Sequence, residues 1–193
     1  MIASPRTQRG NALVETALIL PLLIGSAIII ADLYNINQAR AYMEQSAHTV
    51  ASTLAMQSRL DKDSLQALTE QSAAPGVLGD YEMVISRVML DRSMPWKPLY
   101  RGNVEGICAQ LYTDGQYNGE LPEEAPATED DEAPPSTSLV VVQLCRNSDN
   151  LALSSALIAE KDIQTISFAR MSYNSIELDD PLSEEVGIKD DDG

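Results

Sequence analysis

One segment constrains this chain more than any other. From Ala12 to Ala31 it reads Ala-Leu-Val-Glu-Thr-Ala-Leu-Ile-Leu-Pro-Leu-Leu-Ile-Gly-Ser-Ala-Ile-Ile-Ile-Ala, with Glu15 as its one ionisable group and Asp32 as its close. As a helix this run of about 20 residues is about 30 Å long, the thickness of a bilayer core. The residues before it are polar and basic, with Arg6 and Arg9 and a helix breaker at Pro5, whereas acids dominate the remainder of the chain. Positive-inside logic then predicts a single membrane span with a cytoplasmic N-terminus and an exported remainder.

Three readings of this segment compete. A secretory signal has a shorter apolar stretch and a small-x-small cleavage site behind it. Here the run is too long, and the residues after Asp32 continue with helical character. A plain signal anchor accounts for length and orientation but leaves Glu15 unexplained. A carboxylate within hydrocarbon costs at least about 2–4 kcal/mol and is expected to have a partner. The third reading supplies one. Gly10 is followed by Asn11, and Glu15 is the fifth residue counted from Asn11. This spacing resembles a prepilin leader, in which a membrane peptidase cuts after the glycine. Cutting there would free an α-ammonium at Asn11, and the resemblance implies that Glu15 pairs with that amine on a neighbouring subunit. Such a pair is better suited to fixing register than to adding stability.

The stretch from Arg9 to Leu23, Arg-Gly-Asn-Ala-Leu-Val-Glu-Thr-Ala-Leu-Ile-Leu-Pro-Leu-Leu, is similar to the start of the TadE/TadF-like minor pilins of the tight-adherence (Flp) branch of type IV pili. Pro21, six residues after the glutamate, favours this branch over the type II secretion pseudopilins. Thr16 departs from the pattern, standing where an aromatic residue commonly follows the glutamate. The resemblance covers about residues 9–60. It implies processing by a prepilin peptidase, residence in the inner membrane with a periplasmic C-terminal domain, and a role in pilus assembly or priming, with incorporation in the pilus as a further outcome. The implied partners are the major Flp-type pilin, other minor pilins and the inner-membrane assembly platform. The alternative is an uncleaved single-pass envelope protein whose exported domain binds a protein partner.

Beyond the apolar run, Leu33, Ile36, Ala39, Met43, Ala47, Val50 and Leu54 recur at helical spacing, with Asn37, Arg40, Glu44, Gln45 and Ser52 on the opposite side. This predicts an amphipathic continuation of the same helix. Pro21 is expected to kink or locally unwind the membrane part, and Gly25 and Ser26 offer small surfaces for a second helix. Asp61-Lys-Asp-Ser64 can cap a short helix over Ser64–Gln71, ended by Ala74-Pro-Gly76. Strand character appears at Tyr81–Leu90, Val104–Tyr112, Ser138–Arg146 and Ile163–Tyr173, with a short helix possible within 147–161. The expected fold class is α+β: a long N-terminal helix, transmembrane then amphipathic, packed on a small antiparallel β-sheet. The expected layout is a leader over 1–10, a helix over 11–60, an exported domain over 61–176 and an acidic flexible tail over 177–193. Residues 120–136 hold seven acids and four prolines and read as an acidic loop with little to bury.

Charge and cysteines narrow the function. Thirteen basic against 29 acidic residues give a formal charge of −16, which repels phosphate backbones and disfavours nucleic acid as a partner. It also repels anionic headgroups, so membrane attachment has to come from apolar insertion. Cys108 and Cys145 lack metal-ligand spacing. In an exported domain they are expected to pair, stapling the second and third predicted strands across the acidic loop; two buried free thiols are the alternative. His48 is the sole histidine and sits in the N-terminal helix, far from either cysteine, where it reads as structural or exposed. No phosphate loop, metal cluster or nucleophile elbow appears, so no enzyme and no cofactor is expected. The acid clusters lack the ligand spacing of a calcium loop and read as solvated charge. Trp96 in Met-Pro-Trp-Lys-Pro is expected to pack at a sheet edge.

Overall fold

The computed structural model describes residues 9–73, 78–122, 138–147 and 162–188, with side chains from Val14 onward. Residues 1–8 of the expected leader, the Ala74-Pro-Gly76 stop, most of the acidic loop, the short helix expected within 147–161 and the last five residues lie outside this set.

The first element, α1, runs unbroken from Arg9 to Ala55, 47 residues including Pro21 and about 70 Å at 1.5 Å per residue. The local unwinding expected at Pro21 is absent. Its C-terminal half behaves as the apolar spacing requires: Ala39, Met43, Ala47, Val50, Ala51, Leu54 and Ala55 are buried. The stripe starts later than expected, because Leu33 is exposed and Ile36 is the first of its residues to pack against the core. The helix closes with a tightened last turn, the Met56 amide donating to the Thr53 carbonyl and the Gln57 amide to the Leu54 carbonyl, each three residues back.

A two-residue strand β1 (Arg59–Leu60) leads to α2 (Lys62–Ala73). Asp61 caps α2: the Ser64 amide donates to Oδ1 at 2.8 Å and the Ser64 hydroxyl to Oδ2 at 2.7 Å. These two bonds hold the Asp61 carboxyl below its usual range, the amide bond contributing most. Leu65, Thr69 and Ala73, four residues apart, are its buried face.

The main sheet contains β2 (Tyr81–Met89), β3 (Leu99–Gly102), β6 (Ser138–Asn147) and β7 (Asp162–Arg170) in the antiparallel order β3-β2-β6-β7. This α+β fold, a long helix on a small antiparallel sheet, is the class the sequence predicts. The register places Met83 opposite Leu144 and Ile85 opposite Val142, and these residues join α1 in one core. On the reverse face Val88, Leu139 and Val141 form a second core with Tyr117, against which Ile166 and Phe168 pack. The irregular alternation of β2 and β7 thereby finds its cause: both faces are covered, so apolar residues are needed at both parities. Ser-Leu-Val-Val-Val-Gln-Leu-Cys in β6 is buried throughout because that strand is central.

Two sequence expectations are corrected. Val104–Tyr112 is not a strand. The edge partner of β2 is β3, and Gly102, at φ 123°, ends it; a Cβ there would collide with the Tyr81 carbonyl oxygen. Residues 103–111 instead cross the reverse face as an irregular strap that leads into a small hairpin of β4 (Tyr112–Thr113) and β5 (Gln116–Tyr117). The segment from Glu177 is not a free acidic tail as far as Ile188. Strand β8 (Glu177–Leu178) pairs in parallel with β1, and Asp179 caps α3 (Asp180–Val186), accepting from the Leu182 amide at 3.0 Å and the Lys62 amide at 2.9 Å. Leu182 and Val186, one turn apart, are buried in the helix-side core, and Gly187 closes the helix at φ 79°. Most of the acids here face out or serve as caps, and Glu185 forms a two-pronged pair with Arg101 at 2.6 and 3.1 Å.

Candidate functional site: the exposed helix and the strapped face

Helix α1 has no buried residue from Val14 to Ile30. From Val14 to Ile30, ten large aliphatic side chains are exposed, Leu22 by 73% and Leu18 by 67%. The most apolar 18-residue window of the helix has no buried residue, and the helix is long and apolar enough to cross a membrane. Removing such side chains from water is worth about 1.5–3 kcal/mol each at full burial, so even at partial exposure the sum is on the order of 10–20 kcal/mol. That rivals the whole stability of a small domain, and it marks this half of the helix as a surface built to be covered.

Glu15 lies exposed near the start of this surface, and no side chain among the described residues pairs with it. Gly10 and Asn11 fall in the first turns of α1. Gly25 has open space where a Cβ would stand, and the Ser26 hydroxyl donates to the Leu23 carbonyl at 2.9 Å. Asp32, which closes the apolar run, is buried at 3% exposure; nothing in the residue pattern distinguishes it from an exposed boundary acid. His48 is exposed on the outer side of the helix, and Trp96 is a buried member of the helix-side core.

The second feature is the strap. Cys108 and Cys145 form a disulfide with Cα atoms 5.3 Å apart, 37 residues apart in sequence. The pairing matches expectation, but only Cys145 lies in a strand; the bond ties the strap to β6 and does not staple two strands. Beside it, Glu82 is buried at 3% exposure. Its Oε2 accepts the Ile107 amide at 2.8 Å and the Cys108 amide at 2.7 Å, so one carboxylate oxygen holds two consecutive N–H groups of the strap. Gln143, also buried, donates from Nε2 to the Ala109 carbonyl at 2.9 Å. Two polar side chains and the disulfide thus fix residues 107–109. Sequence reasoning missed Glu82 and Gln143, which look like the solvent-facing half of an alternating strand until the strap is seen to cover them. Tyr100 and Tyr112 share a hydrogen bond between their hydroxyls; burial first, then that bond, pushes the Tyr100 hydroxyl well above its usual range.

No protein-family model matches the chain, and neither a curated protein nor a solved structure matches it.

Proposed function

We propose that this protein is a membrane-anchored minor pilin, similar to the TadE/TadF type, that acts in assembling or priming a tight-adherence pilus. The observation that carries this reading is the division of α1. One half is a stripe buried on the sheet; the other is an uncovered apolar rod with a carboxylate, Glu15, near its start. A helix that only anchored the domain would need no such carboxylate, and one belonging to a soluble core would be covered by its own chain.

In this reading the prepilin peptidase cuts between Gly10 and Asn11 on the cytoplasmic side of the inner membrane. The exposed rod resides first in lipid and then among the helices of the major Flp-type pilin and other minor pilins at the assembly platform. Glu15 sets the axial register by pairing with the Asn11 amine of the next subunit, and that pairing removes the cost of an ionised group in hydrocarbon. The α+β domain stays in the periplasm, an oxidising compartment in which a disulfide persists.

The test is the N-terminal residue of the mature protein, read by sequencing from cells with and without a prepilin peptidase. Cleaved protein beginning at Asn11 only in the presence of the peptidase supports the assignment, and Gly10→Val should block the cut. A chain that retains Met1 in both strains rejects it in favour of an uncleaved single-pass envelope protein.

A further inference from the structure

The strap leaves a groove of about 520 Å³ on the reverse face of the sheet, lined by Glu82, Glu105, Tyr100, Tyr112 and Gln143 among others. Its charge is of one sign. Glu82 gives Oε2 to the two strap amides, and its Oε1 accepts no hydrogen bond among the described residues. Gln143 donates from Nε2 to the Ala109 carbonyl and carries an acceptor oxygen besides. Glu105, exposed on the strap, adds a second carboxylate. The two tyrosine hydroxyls are bonded to each other. Among the described residues no basic side chain lines the groove. It is therefore negatively charged, with two carboxylates and with the neutral amides of Gln110 and Gln143 as its other polar side chains besides the tyrosines, and it is flanked by two aromatic rings. Glu82 is held in place before any ligand arrives by the strap amides, and the strap itself by the Cys108–Cys145 bond.

We propose that this groove recognises the guanidinium of an arginine side chain presented by a protein partner. A guanidinium carries five N–H donors in a plane and no acceptor, the complement of what Glu82, Gln143 and Glu105 offer, and its face can lie against a tyrosine ring. The half-buried setting strengthens the attraction relative to a surface pair, while the −16 charge of the chain steers a basic partner toward it. The site uses only the reverse face of the sheet and does not depend on the fate of the apolar helix.

The experiment uses the full chain in detergent micelles with ring-labelled tyrosine. N-acetyl-arginine amide is titrated while the Tyr100 and Tyr112 resonances are followed, and its citrulline counterpart, of the same shape but uncharged, serves as the control. Saturable shifts at both tyrosines with the arginine probe and none with citrulline support the site. Glu105→Gln, at an exposed position that leaves the fold intact, should weaken binding about 2–5-fold, and Glu82→Gln should abolish it. Because Glu82→Gln also loosens the strap, the Glu105 variant carries the decision. The proposal is overturned by the absence of saturable shifts, by equal binding of citrulline, by affinity unchanged in Glu105→Gln, or by tighter binding of N-acetyl-lysine amide.

Discussion

Cys145 stands directly opposite Glu82 across the β6–β2 pair, and Cys108 is bound to both: its sulfur to Cys145 and its amide to the Glu82 carboxylate. A covalent bond and a charged hydrogen bond thereby converge on one residue of an otherwise irregular segment. The disulfide encloses the hairpin and the acidic 120–136 segment, and chain-entropy reasoning gives such a closure about 3–4 kcal/mol.

Reduction, or Cys108→Ser with Cys145→Ser, should lower unfolding free energy by that amount. Trp96 is the single tryptophan and is buried, so its fluorescence in a denaturant series reports the change. Identical midpoints with and without reductant would show that the strap contributes nothing to stability.

Substitutions along α1 should separate into two kinds. Met43→Ala removes a fully buried side chain facing the sheet and should cost about 2–5 kcal/mol. Leu22→Ala, at a residue 73% exposed, should change domain stability by less than about 0.5 kcal/mol yet weaken retention in detergent or membrane fractions. Comparing denaturation midpoints with flotation of the same variants checks both halves.

The segment from Glu177 should prove integral to the fold. Leu182→Ala empties a fully buried site in the helix-side core and is expected to cost about 2–5 kcal/mol; ending the chain at Ile176 should cost more. A truncated protein with an unchanged melting temperature would contradict the docking of α3.

Stability should fall at alkaline pH. The Tyr81, Tyr100 and Tyr117 hydroxyls all titrate above the ordinary value of 10.0, in each case chiefly through burial. The folded chain therefore keeps protons that the unfolded chain releases. The contribution is complete below about pH 10 and is lost as pH rises through the raised values. Tyrosinate absorbance and Trp96 emission followed together should show part of the ionisation coinciding with unfolding, and Tyr100→Phe should move that transition upward.

Glu15→Gln should leave the denaturation midpoint of the domain unchanged, since the residue touches none of it, while impairing pilus assembly under the proposed function. Normal piliation in that variant would remove the register role of Glu15.

Much of this architecture was legible in the residues. The α1 stripe, the Asp61 cap and three of the four main strands follow from spacing and capping chemistry that act locally. The segment 104–112 misled because Val104, Ile107 and Leu111 supply apolar content without pairing: Gly102 had already ended the edge strand, and the strap is held by Glu82, more than twenty residues away. The part beyond Glu177 misled in the opposite way. Its acids mask Leu182 and Val186, whose spacing of one turn matters only once a core exists to receive them. The exposed helix was readable because its apolar content needs no long-range partner to be recognised, whereas the Glu82 groove depends on which strands become neighbours.

Continuity of α1 also sets an angular phase. Ile30 is exposed and Ile36 already packs on the core, and no break separates them. Each helical residue turns the chain by about 100°. Inserting a single residue between these two would swing the α+β domain about the rod by that angle, and whatever covers Leu18 and Leu22 would then find the domain on a different side. The two halves of the molecule are geared together as well as joined, so the direction in which the strapped face looks is fixed by which flank of the apolar rod is engaged.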